Sequence, residues 1–363
     1  MSYVFNTDIL LNEADREEAR REFPHVYFAL DNASLRETFA PFDARANLSK
    51  TRSRRWGVVA VLLATAALLL AGGEMLYHHL PKYQLRLLAG IGGVAGIVSV
   101  VIGVFGIMYR KRKMRWLADR LATERLRQFH FQTFVAGAAD ILRGARDEAA
   151  REAFLRKRDI HFDAFRNAFL TRIDDELAHI VHAEDPGDGV IIENGAHDID
   201  PADPALEEYF KAYKRLRFDR QIGYCDLVLR KDDGLWKNAP VRQAQILGGI
   251  ALACVFGILV LHGLVFLGAV ADIHWMKGPL IHVFAIWAAI VALSARTFEE
   301  GFQPEREIER MRSYRLSLKK LAAQFEKAED PQGKIEAMKG LEKLTHEEMV
   351  LFLKGNYEAQ FVM

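Results

Sequence analysis

Hydrophobic residues fall in four long blocks along this chain, and the stretches between them are polar with a helical rhythm. Residues 57–77 carry one charge, Glu74, whereas 87–109, 246–270 and 279–295 carry no acidic or basic residue other than histidine. At about 1.5 Å per residue, roughly 20 residues cross a hydrocarbon layer of about 30 Å. The first three blocks meet that length, and the fourth is at its short end. The pattern predicts an all-α membrane protein with four transmembrane helices in two hairpins plus a helical cytoplasmic domain.

The connectors 78–86 and 271–278 are short enough to force antiparallel neighbours, which places the long middle segment and both ends on one side. Basic residues decide which side. Arg45, Lys50, Arg52, Arg54 and Arg55 precede the first block, and Arg110, Lys111, Arg112, Lys113 and Arg115 follow the second. The connectors hold only Lys82, Arg86 and Lys277. By the positive-inside rule the hairpin tips face outward and both termini are cytoplasmic, in a bacterial inner membrane. Trp56, Tyr77, Tyr83, Tyr109 and Trp275 sit near block ends, where interfacial aromatics belong. The expected division is 1–56, an N-terminal cytoplasmic segment; 57–109, the first hairpin; 110–244, a helical cytoplasmic domain; 245–297, the second hairpin; and 298–363, C-terminal cytoplasmic helices. The polar first fifty-odd residues do not read as a secretory signal.

Residues 110–182 contain no proline, and the first cytoplasmic helix is expected to continue straight out of the second span. Phe162, Phe165, Phe169, Ile173, Leu177 and Ile180 recur every three or four positions, a helix face. Gly137 and Gly144 are the expected breaks. Residues 183–205, rich in Pro, Gly and acids, read as a loop whose Gly189–Ile192 piece forms a short strand or docks on the helices. Residues 207–229 return to helical spacing. Met311, Tyr314, Leu318, Leu321 and Phe325 form a heptad-like seam, read as packing on the middle helices before an intersubunit contact. Asp330-Pro331 opens a short helix, and Thr345–Glu348 has the spacing of a capping box opening the last one.

The composition narrows the function classes. Across 363 residues, 49 Lys+Arg balance 48 Asp+Glu, so no strong field points to nucleic acid. Two cysteines exclude a disulfide scaffold or Cys-rich zinc module, and as reduced thiols Cys225 and Cys254 suit a cytoplasmic-facing protein. Phosphate-cradling, nucleophile-elbow and HExxH motifs are missing, and no catalytic activity or cofactor is expected. Glu176, His179 and His182 share a helix face that could bind a metal, but a second Glu-x-x-His pair for a di-iron site is lacking. Asp198, Asp200 and Asp203 lack the glycine and terminal glutamate of an EF-hand. Both groups read first as solvated surface.

Within the blocks, Glu74, His262 and His282 are ionisable, and such groups raise the idea of a pathway. Gly92 and Gly96, like Ala253 and Gly257, are small-xxx-small pairs that let helix backbones approach, within one chain or between copies. Two spans per module cannot enclose a channel, so conduction requires a homo-oligomer. Helix packing or pore lining is therefore assigned to Gly92, Gly96, Ala253, Gly257, His262 and His282. Lipid-headgroup anchoring falls to Arg110, Lys111, Arg112, Lys113 and Arg115.

The segments 42–57 (FDARANLSKTRSRRWG) and 110–134 (RKRKMRWLADRLATERLRQFHFQTF), with the hairpin between them, resemble the SLATT two-transmembrane effectors of bacterial conflict systems. Trp116, Arg120, Ala122 and Glu124 occupy the stretch that matches that family's cytoplasmic helix. The resemblance covers a quarter to a third of the chain; the second hairpin and the residues between the hairpins depart from it. It implies a membrane-disrupting or pore-forming defence effector triggered through its cytoplasmic part by a protein partner. The alternative is a membrane scaffold that recruits a soluble enzyme.

Overall fold

A computed structural model describes residues 7–77, 80–104, 106–193, 199–230 and 239–359, and among these residues there is no β-strand. The chain runs through α1 (Glu13–Glu22), α2 (Tyr27–Leu30), α3 (Ala33–Gly72), α4 (Glu74–Tyr77), α5 (Lys82–Val104), α6 (Gly106–Ala136), α7 (Ala138–Arg146) and α8 (Glu148–Leu170). It continues through α9 (Ile173–His182), α10 (Leu206–Tyr213), α11 (Arg220–Val228), α12 (Pro240–Val270), α13 (Pro279–Phe302), α14 (Pro304–Lys327) and α15 (Pro331–Glu358). Local chemistry sets several boundaries. Asn32 Oδ1 accepts the Leu35 N–H at 3.0 Å as α3 opens, and Asp147 caps α8 by accepting from Ala149 N at 3.1 Å. Pro240 and Pro279 stand in the first turns of α12 and α13, where a missing N–H costs nothing. Gln303, at φ 48°, closes α13 in the left-handed region.

Two units divide the chain. The first comprises 7–48, 114–229 and 309–357, and its core is aromatic. Phe134 stacks on Tyr209 with ring centroids 4.5 Å apart, and Phe129 stacks on Phe165 at 5.1 Å. Phe39, Phe131, Tyr213, Phe218, Leu318 and Leu341 are buried in the same cluster. A second cluster gathers Leu117, Leu121, Leu177, Ile180 and Leu353. The α14 seam goes into the first cluster: Met311, Tyr314, Leu318 and Phe325 are buried there, with Leu321 packed alongside. The heptad-like spacing thus serves this unit's own core.

Charge also lies in this core. Arg217 is 1% exposed and makes a paired contact with Glu342, Nε to Oε1 and Nη2 to Oε2, both at 2.9 Å. Its guanidinium stands 4.5 Å over the Phe131 ring, and Tyr213 donates to Glu342 Oε1 at 2.7 Å. Arg127 bridges Asp8 at 2.7 Å and Glu124 at 2.8 Å. Burial favours the neutral acid of Glu124, but Arg120 and Arg127 hold its pKa down at about 2. Two histidines are buried in the neutral form. Burial, reinforced by Arg158 and Arg217, pushes His130 down to about 3, and burial with Arg125 pushes His346 to about 4.

Several sequence expectations change. Gly144 lies inside α7, and the break comes at Asp147; a Cβ at Gly144 would stand 2.9 Å from the Arg151 Cα, so glycine is needed for close packing. Thr345 opens no helix, because α15 runs unbroken from Pro331 to Glu358; its hydroxyl donates to Glu342 O at 2.8 Å and accepts from Arg217 at 3.1 Å. The Asp330 cap is present, accepting Gly333 N at 2.6 Å. Gly189–Ile192 forms no strand. It docks on α6, where Gln132 accepts from Ile191 N at 2.7 Å and donates to Gly189 O at 3.0 Å. Residues 214–219 wind as a π-helical turn between α10 and α11, and this irregular turn carries Arg217. The join between the second apolar block and α6 includes residue 105, outside the described residues.

The second unit comprises the described residues of 49–113, 230–308 and 358–359. It holds four helical stretches long and apolar enough to cross a membrane.

Removing Arg217 leaves Glu342 buried without its partner. Arg217→Met is expected to destabilise the first unit by about 3–5 kcal/mol, and Glu342→Met by a similar amount. The double variant should lose less than the sum of the two. Thermal melts of the full chain check this; additive losses would contradict the coupling.

Candidate functional site

The apolar helices present two kinds of face, and small residues separate them. On α5, a Cβ at Gly92 would stand 3.5 Å from Leu70 Cβ, and one at Gly96 would stand 3.6 Å from Ala67 Cβ. Ser99 Oγ on the same helix donates to Ala60 O on α3 at 3.0 Å. Gly92 and Gly96 therefore seat α5 against α3 in the same chain. Polar groups also tie α13 to α3: Thr65 and Ser294 hydroxyls lie 2.7 Å apart, and Trp287 Nε1 donates to Leu69 O at 2.9 Å. Each of these groups finds its partner inside the unit, as a low-dielectric surrounding requires. Leu247, Ala251 and Ala295 join α12 to α13, with Phe298 and Phe302 alongside.

The outer faces are different. Val94, Ile97 and Val100 on α5, and Leu252, Phe256, Leu259 and Phe266 on α12, are each more than 60% exposed. Ala253 is exposed on this surface, and a Cβ at Gly257 would meet nothing within 4 Å. The second small pair thus lies open where the first is filled. His262 is exposed with its Nδ1 2.9 Å from Ile258 O, and His282 is exposed on α13. Near the ends of the apolar blocks, Trp56, Tyr83 and Trp275 are exposed.

The basic run after the second block is only partly within view, because the side chains of 110–112 lie outside the described residues. Lys113 donates to Ala359 O at 2.5 Å, and Arg115 is exposed. In the lead-in, Arg45 pairs with Asp119 at 3.0 Å, and Arg54 stands 5.9 Å over the Phe302 ring.

The metal-like triplet is dispersed. Glu176 is held by Arg125 at 3.0 Å, while His182 meets the Tyr357 ring edge-on at 5.3 Å. No group of three or more His, Cys, Asp or Glu placed to hold a metal ion occurs among the described residues. Asp198 is outside those residues. Asp200 accepts from Ala202 N at 2.9 Å, and Asp203, buried, pairs with Arg146 at 2.7 Å, so these acids cap a turn and anchor it.

No family model, curated protein or solved structure matches this chain.

The lateral groove between α12 and α13, lined by Gly248, Ala251, Leu252, Val255, Ala292, Leu293 and Arg296, was not foreseen. Its signal in the sequence is the coincidence of small residues in two neighbouring blocks, with a cation at the end of one.

The two small pairs should respond differently to bulk. Gly96→Leu drives a side chain into α3 and is expected to cost about 1–3 kcal/mol. Gly257→Leu enters open space and should be neutral or stabilising by up to about 1 kcal/mol, as leucine replaces glycine in a helix. Thermal melts in detergent check this, and equal tolerance of both would contradict the α3–α5 contact.

Proposed function

We propose that this chain is a non-enzymatic inner-membrane protein whose four apolar helices form two hairpins, with both termini and the helical unit in the cytoplasm. In this reading it is a pore-forming or membrane-disrupting effector of a bacterial defence system. A partner protein triggers it through the cytoplasmic unit, and copies of the chain assemble to make the conducting state. The carrying observation is the open apolar face of α12, where Ala253 is exposed and a Cβ at Gly257 would meet nothing within 4 Å, whereas Cβ atoms at Gly92 and Gly96 would meet α3. Close approach of helix backbones in lipid favours such small residues, so this face suits contact between copies. His262, exposed on α12, is the ionisable group that assembly would bring near a pathway.

The resemblance of residues 42–57 and 110–134 to the SLATT effectors supports the same reading. So does the concentration of basic residues at 45–55 and 110–115, which the positive-inside rule places in the cytoplasm. Arg110, Lys111, Arg112 and Arg115 would hold the exit of the second span at anionic headgroups, each contributing about 1 kcal/mol near the surface.

Induced expression in bacteria with a potential-sensitive dye tests the reading, since raising the concentration favours assembly by mass action. Depolarisation is expected, and Gly257→Leu should abolish it while the protein stays in the membrane fraction. Membrane-inserted protein that never depolarises cells, yet recovers a stoichiometric soluble enzyme on pull-down, would replace the pore with the scaffold.

A further inference from the structure

The apolar helices carry a concave feature on their surface. It is a groove of about 670 Å³ between α12 and α13. Its floor is made by Gly248, Ala251 and Ala292 and its walls by Leu252, Val255 and Leu293, all without a hydrogen-bonding side chain. Leu252, Val255 and Leu293 are exposed, so the groove is open and not enclosed. One charged group lines it, Arg296, which follows directly on the uncharged stretch 279–295. The groove therefore has a cationic end at the edge of the apolar stretch, and on α12 it reaches from Gly248 to Val255, about 10 Å along the helix axis.

The side chain of Arg296 is 64% exposed and donates from Nη1 to Glu299 Oε2 at 2.5 Å. That contact neutralises part of its charge, but Nε and Nη2 have no partner among the described residues. A guanidinium with free donors in the headgroup zone matches a phosphate oxygen, and an aliphatic trough leading from it matches a hydrocarbon chain. One molecule supplies both at that spacing. We infer that the groove between α12 and α13 holds an anionic phospholipid, its phosphate on Arg296 and an acyl chain along Gly248, Ala251 and Ala292. This inference rests on the membrane reading of these helices, and not on pore formation. A lipid here would fill the concave surface that apolar packing leaves between the two helices, and would make the protein sensitive to the anionic lipid content of its membrane.

The full chain, purified in a neutral detergent and delipidated, is titrated with phosphatidylglycerol or with phosphatidylcholine of the same acyl chains. Bound lipid is counted by native mass spectrometry and stabilisation by thermal melts. Phosphatidylglycerol is expected to bind preferentially, and water-soluble glycerol phosphate should not displace it. Arg296→Gln should weaken phosphatidylglycerol retention about five-fold, the size of one basic group near an anionic surface, and leave phosphatidylcholine unchanged. Gly248→Leu fills the groove without collision, since a Cβ there meets nothing within 4 Å, and should reduce retention of both lipids. Equal retention of the two lipids by the unaltered chain, or full retention by both variants, overturns the proposal. Gly248→Leu dissociating an oligomer with lipid counts unchanged overturns it in favour of a second copy as the occupant. A chain that stays monodisperse without detergent fails the membrane reading instead, and the two failures are told apart on that sample.

Discussion

Apolar side chains left uncovered among the described residues set the terms for this protein. Along α5 and α12, Val94, Ile97, Leu252, Phe256 and Leu259 stand more than 60% exposed, in sequence blocks that run over twenty positions without an acidic or basic residue other than histidine. Each such side chain left in water forgoes about 1.5–3 kcal/mol of burial, and a whole domain is stable by only about 5–15 kcal/mol. Soluble monomers rarely expose so large an apolar surface, and in water these faces would drive association. Hydrocarbon removes the conflict, and it also dictates how polar groups within these helices behave. Ser99, Thr65, Ser294 and the Trp287 indole all find partners inside the unit.

The other unit solves the opposite problem. Its core is built of aromatic rings, yet it encloses Asp8, Arg127, Arg217 and Glu342 at or near zero exposure. Arg217 and Glu342 persist there as a doubly hydrogen-bonded pair, and Arg127 and Asp8 as opposite charges 2.7 Å apart, so that neither charge is buried alone. Arg217 links the π-helical turn to α15 through Glu342, and Arg127 links α6 to the N-terminal segment through Asp8. His130 and His346, held neutral by burial, make this unit sensitive to acid. The unfolded chain binds protons on these rings below about pH 6.5 and the folded chain does not, so their contribution is complete above that value and lost as the pH falls toward 3–4.

The apolar helices and the helical character of the rest were legible in the sequence, because block length and the three-four spacing carry both signals directly. The core role of Met311, Tyr314, Leu318 and Phe325 was legible for the same reason. Misplaced boundaries came from local motifs that tertiary contacts override. Gly144 reads as a breaker but serves close packing against Arg151, and Thr345 reads as a cap but sits within α15 and accepts from Arg217. The buried pairs Arg217–Glu342 and Arg127–Asp8 each join residues over a hundred positions apart, and no local pattern announces them. The glycine pairs look alike in sequence, and only packing distinguishes Gly92 and Gly96, which are filled, from Gly257, which is open.

The dependence on hydrocarbon is tested most directly by alkaline extraction of membranes from cells expressing the full chain. Protein with four integrated helices remains in the pellet at high pH and is released only by detergent. Recovery of the folded chain in the alkaline supernatant, monodisperse without detergent, would contradict the account at its root.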